Sequence, residues 1–218
     1  MSFAARHRDD PMPVLPELPF LSTSRVVDVE QMSLLQGRGG DEIARRFDAG
    51  HRAYVARLNG APAGWGWVAT RTASIGELGA SFTMPEGERY LWNFVTLPSH
   101  RGLGVYPRLL QAIVRAESIE AERFWIAYAP ENHASGSGIT KAGFVALAEM
   151  SFDAEGRPAL RALEPGGATL ASRMLGLPVT TEALIPCWRC VRAGRSQMTC
   201  APETCRCDYQ RPQSACAT

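Results

Sequence analysis

The stretch NFVTLPSHRGLGVYPRLLQ, residues 93–111, decides how the rest of the chain is read. It starts as the end of an apolar run, breaks at Pro98, passes glycines at 102 and 104, and resumes with Leu109, Leu110, Ile113 and Val114. Apolar residues recurring every three to four positions predict an amphipathic helix, here from about Tyr106 to Glu120. Pro107 is tolerated because the first helical turn has no intrahelical use for its missing N–H. Just upstream, residues 89–97 (RYLWNFVTL) are aromatic and β-branched, which predicts a central strand buried on both faces. Strand, glycine turn and helix N-terminus in that order present unpaired N–H groups and the positive end of a helix dipole. Glycine leaves no Cβ in the path of an approaching phosphate. Alone the signal is weak, since many strand-to-helix turns carry glycine for geometry only. A triphosphatase loop is excluded by the lack of Gly-Lys-Ser/Thr, and the dinucleotide fingerprint needs three glycines and an earlier place in the strand order.

Working outward, residues 1–20 are rich in charge and proline and are expected to form an extended or flexible arm, with the domain boundary near residue 22. A short strand is expected over residues 25–29. Helices follow around VEQMSLLQ and DEIARRFDAG, the second with Asp41 as N-cap and Gly50 as its stop. HRAYVARLN alternates apolar and polar residues, NGAPAG is turn chemistry, and GWGWVAT returns as a strand, so a hairpin with a four-to-six-residue loop is predicted. RFWIAYA is a further strand, PENHASGSGITKAGF a turn and short helix ending at Gly143, and FVALAEMSFD with RPALRALEP a final antiparallel pair. The order β-α-α-β-β-β-α-β-α-β-β predicts an α/β fold. Its central sheet is mixed, mostly antiparallel with one parallel step at the glycine turn, and helices cover both faces.

The chain has 218 residues, 45% hydrophobic and 21% charged, with a formal net charge of +1. That describes a globular domain with a small appendage and argues against a nucleic-acid coat protein. No apolar run approaches the roughly 18 residues of a membrane span, and the N-terminus lacks a signal-type apolar core. A cytoplasmic protein with no membrane partner is expected. All six cysteines lie beyond residue 186, at Cys187, Cys190, Cys200, Cys205, Cys207 and Cys216. In a reducing compartment such a cluster suggests metal before disulfides. Zinc on four thiolates drawn from Cys187, Cys190, Cys200, Cys205 and Cys207 is the simplest use. Iron–sulfur ligation and a tail of free thiols are the alternatives. Residues 166–218 are accordingly expected to be a helical linker and a Cys-rich tail.

Two motifs together resemble the GNAT superfamily of acetyl-CoA-dependent N-acetyltransferases. The first is Arg101-x-x-Gly104-x-Tyr106, three residues after Pro98. The second is ENHASGSGITKAGF, which fits the family's Asn-x-x-Ala/Ser-x-x-x-Tyr-x-Lys-x-Gly-Phe block at Asn132, Ser135, Lys141, Gly143 and Phe144. The resemblance covers about residues 26–165. It implies acetyl-CoA as co-substrate, a small-molecule or peptide amine as acceptor, and direct attack of the amine on the thioester. It further implies that the backbone at Phe94, Val95 and Thr96 pairs with the pantetheine arm. Backbone N–H groups of Arg101, Gly102, Leu103, Gly104, Val105 and Tyr106 would hold the pyrophosphate, and Asn132, with Ser135 beside it, would meet the pantetheine or thioester end. The chain departs from the pattern twice: Tyr106 stands where the family has Gly or Ala, and Ile139 where many members carry the tyrosine assigned to protonate the thiolate.

Other chemistry-bearing residues have everyday readings beside the functional ones. Glu77, between glycines in IGELG, is the first carboxylate to test as general base for the amine, its everyday reading being a solvated loop acid. Tyr128 can supply a proton or simply be a half-buried core tyrosine. His133 follows Asn132; His100 sits in the turn. Trp65, Trp67 and Trp92 fit core and pocket wall. Two other functions stay open on sequence: a CoA-binding sensor without turnover, motivated by Ile139, and a zinc-dependent nucleic-acid adaptor.

Overall fold

The computed structural model describes residues 1–76, 80–130, 132–153 and 157–181. Among these residues ten strands run in chain order: β1 (Ser2–His7), β2 (Leu21–Val26), β3 (Arg52–Leu58), β4 (Ala61–Ala69), β5 (Thr72–Ile75), β6 (Ala80–Thr83), β7 (Glu88–Thr96), β8 (Arg123–Tyr128), β9 (Val145–Phe152) and β10 (Pro158–Ala162). Five helices accompany them: α1 (Val29–Gln36), α2 (Gly40–Asp48), α3 (Val105–Glu117), α4 (His133–Lys141) and α5 (Gly167–Leu175). Eight strands form one sheet in the order β10-β9-β1-β8-β7-β4-β3-β2, and β5 with β6 makes a separate hairpin. Among these strands every pairing is antiparallel except β7 with β8, which are joined through α3; an isolated parallel bridge also joins Leu160 to Val179. The mixed, mostly antiparallel sheet expected from sequence is therefore present.

Alternation along the central strands sends side chains to opposite faces. Leu91, Phe124, Ile126 and Ala4 pack under α3 and α4 with Leu109, Leu110, Ile113, Ile139 and Phe144. Tyr90, Trp125, Phe3 and Ala5 face the other way, toward α5 and the β5–β6 hairpin. On that second face, α1 and α2 cover β2–β4 through Met32, Ile43, Val55 and Trp67.

Several boundaries differ from the sequence reading. The first residues are not an arm. β1 is threaded into the middle of the sheet between β8 and β9, with Ser2 through Arg6 all buried. Short residues, two of them alanine, gave no periodic signal there, and the strand's stability comes from two neighbours remote in sequence. Residues beyond it are tied down as well. Arg6 Nη1 donates to the carbonyl of Ala142 (3.1 Å), Gln111 Nε2 donates to Pro13 O (2.9 Å), and Arg108 donates to Pro16 O. The β3–β4 loop is two residues, not four to six: Asn59 and Gly60 both adopt positive φ (51° and 80°), the geometry of a type I′ hairpin turn. The N-cap of α2 is Gly39, and Asp41 lies inside the first turn, where its charge still favours the helix dipole. α5 is packed against β9, β10 and β6 rather than serving as a bare linker.

Candidate active site

The site is created by a bulge. Gly66 of β4 faces two residues of β7, because the register slips between Trp65↔Val95 and Trp67↔Trp92. Asn93 takes φ 52° at the slip, a left-handed value uncommon for a residue with a side chain. A Cβ on Gly66 would lie 2.0 Å from Phe94 Cε1, and one on Gly64 would lie 2.6 Å from the carbonyl oxygen of Val95. Those two glycines let β4 approach the bulged strand. Pairing of β7 with β8 then stops: it runs from Glu88↔Arg123 to Leu91↔Ile126 and no further. Beyond that point the two parallel strands part at their C-terminal ends, the usual place for ligands in sheets with parallel steps. Leu97 N–H donates to Ala63 O (2.9 Å) on the β4 side. By the two-residue alternation of a strand, the main-chain groups of Phe94 and Thr96 face the gap.

A cleft of about 640 Å³ fills this gap. Phe94, Val95 and Thr96 line it from β7; Arg101, Gly102, Gly104, Val105 and Tyr106 from the glycine turn and α3; Asn132, Ser135, Ser137, Gly138 and Lys141 from the start and body of α4. Gly102 and Gly104 have φ of 77° and 75°, where only glycine is unstrained. The N–H of Arg101 is turned back onto Pro98 O (3.3 Å). Among the described residues, no carbonyl accepts from the amides of Gly102, Leu103, Gly104, Val105 or Tyr106. A helix N-terminus with free amides and no side-chain cap is thus aimed at a cleft flanked by Arg101, His100 and Lys141. Arg108 folds back to donate to Gly104 O (2.7 Å), which pins the turn.

The individual residues are placed as follows. Leu103 is part of the turn, exposed, and not in the cleft wall. Asn132 caps α4: its side-chain oxygen accepts from Ser135 N–H (3.0 Å), and its amide NH2 has no partner among the described residues. Tyr106 crosses from α3 to α4. Its ring lies 5.4 Å from that of Phe94, and its hydroxyl is 3.5 Å from Ser135 Oγ. A Cβ on Gly138 would sit 2.4 Å from Tyr106 Cδ1, and one on Gly136 would sit 3.0 Å from Tyr128 Cε2. The glycines of α4 therefore seat two tyrosine rings. Burial pushes the Tyr106 phenol up to about 12, with the Ser135 hydroxyl opposing. Ile139 is buried in the core under α4. Tyr128 ends β8, half-buried against α4 and outside the cleft wall. Glu77 and the cysteines Cys187, Cys190, Cys200, Cys205 and Cys207 lie outside the described residues. Among the described residues no cluster of His, Cys, Asp and Glu is placed to hold a metal, and no helix is long and apolar enough to cross a membrane.

Sequence reading missed the tyrosine–glycine seating across α3 and α4. It also missed a second pocket, of about 250 Å³, on the α2 side of the sheet around Trp92. Neither left a signal in the chain order, because each joins residues from separate elements.

A mixed sheet that parts between β7 and β8, beside the N-termini of α3 and α4, makes this an α/β protein with an open cleft between two parallel strands. The model of the acetyltransferase (GNAT) family matches residues 24–144, and the chain belongs to that family. No curated protein sequence matches it. Solved structures similar to it include a GCN5-related N-acetyltransferase from Kribbella flavida, at 18% identity over 66% of this chain and 53% of that one, with TM-score 0.43. An acetyltransferase of the GNAT family from Streptococcus pneumoniae is 14% identical over 60% of this chain and 89% of that one, TM-score 0.44. The ribosomal-protein-alanine N-acetyltransferase from Brucella melitensis is 13% identical over 54% and 86%, TM-score 0.39. The chain thus spans about half the length of the Kribbella protein it resembles.

Proposed function

We propose that the chain transfers an acetyl group from acetyl-CoA to a primary amine. One observation carries the reading: five consecutive backbone amides, Gly102 to Tyr106, have no acceptor among the described residues, and all of these residues but Leu103 line the cleft where β7 leaves β8. Free amides at a helix N-terminus suit a diphosphate, and a strand edge freed by a bulge suits an arm built of amides. When bound, acetyl-CoA supplies the activated acyl group.

The chain's own part is binding, orientation and charge. The turn amides hold the diphosphate, with Arg101 and Lys141 adding positive charge at the rim. Phe94 and Thr96 offer main-chain groups to the arm and an N–H where charge develops on the thioester oxygen. Residues 1–186 contain no cysteine, so direct attack by the amine, without a cysteine-bound intermediate, is the route we assign. Tyr106 is a wall rather than an acid. Burial raises its phenol pKa, which disfavours release of the proton to a leaving thiolate. Tyr128, at the end of β8 and just behind the cleft wall against α4, is the phenol left to test as proton donor.

The test is thiol release from acetyl-CoA by the full chain against an amine panel, alongside calorimetric CoA binding. Binding with turnover is expected, and Tyr128→Phe should slow turnover while leaving CoA affinity alone. CoA binding without thiol release against any amine would replace the transferase with a sensor, and no CoA binding would end the assignment.

A further inference from the structure

The pocket of about 250 Å³ around Trp92 is walled by Glu42, Arg45, Arg46, His51, Ser74 and Trp92. Its polar groups are mostly donors. Arg46 lies with its guanidinium carbon 4.8 Å from the Trp92 ring and 5.2 Å from Trp67, and Glu42 holds it there at 2.7 Å. Among the described residues Glu42 is the single carboxylate in the wall, and it is already shared between Arg38 (2.8 Å) and Arg46. Arg45, one residue along α2, is exposed and has no ion-pair partner among the described residues. Trp92 Nε1–H donates to His51 Nδ1 (3.1 Å), so the proton of a neutral imidazole sits on Nε2. Burial, then the positive charges of Arg46 and Arg71, lower the His51 pKa and keep it neutral. Among the described residues the pocket therefore offers Arg45, the His51 Nε2–H and the Ser74 hydroxyl as unclaimed polar groups beside an indole face, with cationic charge in excess.

Its position matters as much as its charge. Trp92 immediately precedes the bulge residue Asn93, and Phe94 to Thr96 line the cleft. We propose that this pocket is an oxyanion site and that its ligand is the acidic end of the acceptor: the amine carries a carboxylate or phosphate on a short carbon chain. The acceptor half of this inference rests on the transferase reading; the anion half does not.

Calorimetry of the full chain with glutarate and with inorganic phosphate tests the anion half without acetyl-CoA. Binding of either, lost in Arg45→Glu and kept in Arg45→Lys, supports the site and tells which oxyanion it prefers. No binding of either overturns it, even where CoA binds and thiol is released. For the acceptor half, 4-aminobutyrate is compared with butylamine, and phosphoethanolamine with ethanolamine. The acidic member should show a KM lower by about fivefold or more, a preference abolished by Arg45→Glu, restored by Arg45→Lys, and absent from the neutral amines in every variant. Equal KM values for acidic and neutral members, or a preference that survives Arg45→Glu, overturn it.

Discussion

Replacing Gly104 tests the site most directly, because conformational and binding costs can be separated at this turn. Gly102 and Gly104 share nearly the same φ, 77° and 75°, so an alanine at either position costs about 1–2 kcal/mol of left-handed strain. Their surroundings differ. A Cβ at 102 meets nothing within 4 Å, whereas one at 104 lies 2.3 Å from Arg108 Nη1 and must displace it from the Gly104 carbonyl. Losing that charge-assisted bond on a partly exposed side chain adds about 1 kcal/mol. Gly102→Ala should then lower Tm by about 2–8 °C and Gly104→Ala by about 4–12 °C, at roughly 2–4 °C per kcal/mol for a domain of this size. CoA affinity should respond more steeply at 104. Once the turn shifts to relieve strain and loses its Arg108 tether, at least one amide-to-phosphate bond is forfeited, about 1.5 kcal/mol or a tenfold rise in Kd. Calorimetry on Gly102→Ala, Gly104→Ala and Gly104→Val, each checked for native circular dichroism, provides the comparison. A folded Gly104→Val that binds CoA within twofold of the parent chain would refute the placement of the diphosphate on this turn.

Three further outcomes are expected. Gly138→Ala should lose about 1–3 kcal/mol by overpacking Tyr106. The double variant with Tyr106→Ala should be more stable than the sum of the two single losses, which thermal or urea unfolding of all four chains will show. Glu117, almost fully buried, accepts from Arg52 (2.6 Å), Arg89 (3.3 Å) and the Tyr54 hydroxyl (2.6 Å). Glu117→Ala strands these donors and should cost about 3–5 kcal/mol in urea unfolding. His51 has a depressed pKa when folded, so the unfolded chain takes up its proton first. Stability should be complete above the unfolded value of about 6.5 and fall as pH drops from there toward the folded value, a slope that His51→Asn should flatten.

What the sequence determined by itself are the elements whose cause is local. The helix of α3, the strand of β7 and the turn between them follow from apolar spacing, β-branching and the glycines, and these also carried the family resemblance. The α1 stretch VEQMSLLQ matches the observed helix because Asp28 caps it and Gly37 closes it within a few residues of chain. Tertiary structure decided what depends on partners far away in sequence. β1 is a strand because β8 and β9 flank it, though its six residues show no alternation. The bulge at Asn93 is admitted by Gly64 and Gly66 of β4, and it lies just past Leu91, where pairing of β7 with β8 ends and the cleft begins. Tyr106 looked like a break in a motif, but it is seated by Gly138, thirty-odd positions away on another helix. The pocket at Trp92 likewise draws on α2, β5 and β7. Local propensity is written in neighbouring residues, whereas a cavity is the space left between elements once they have packed.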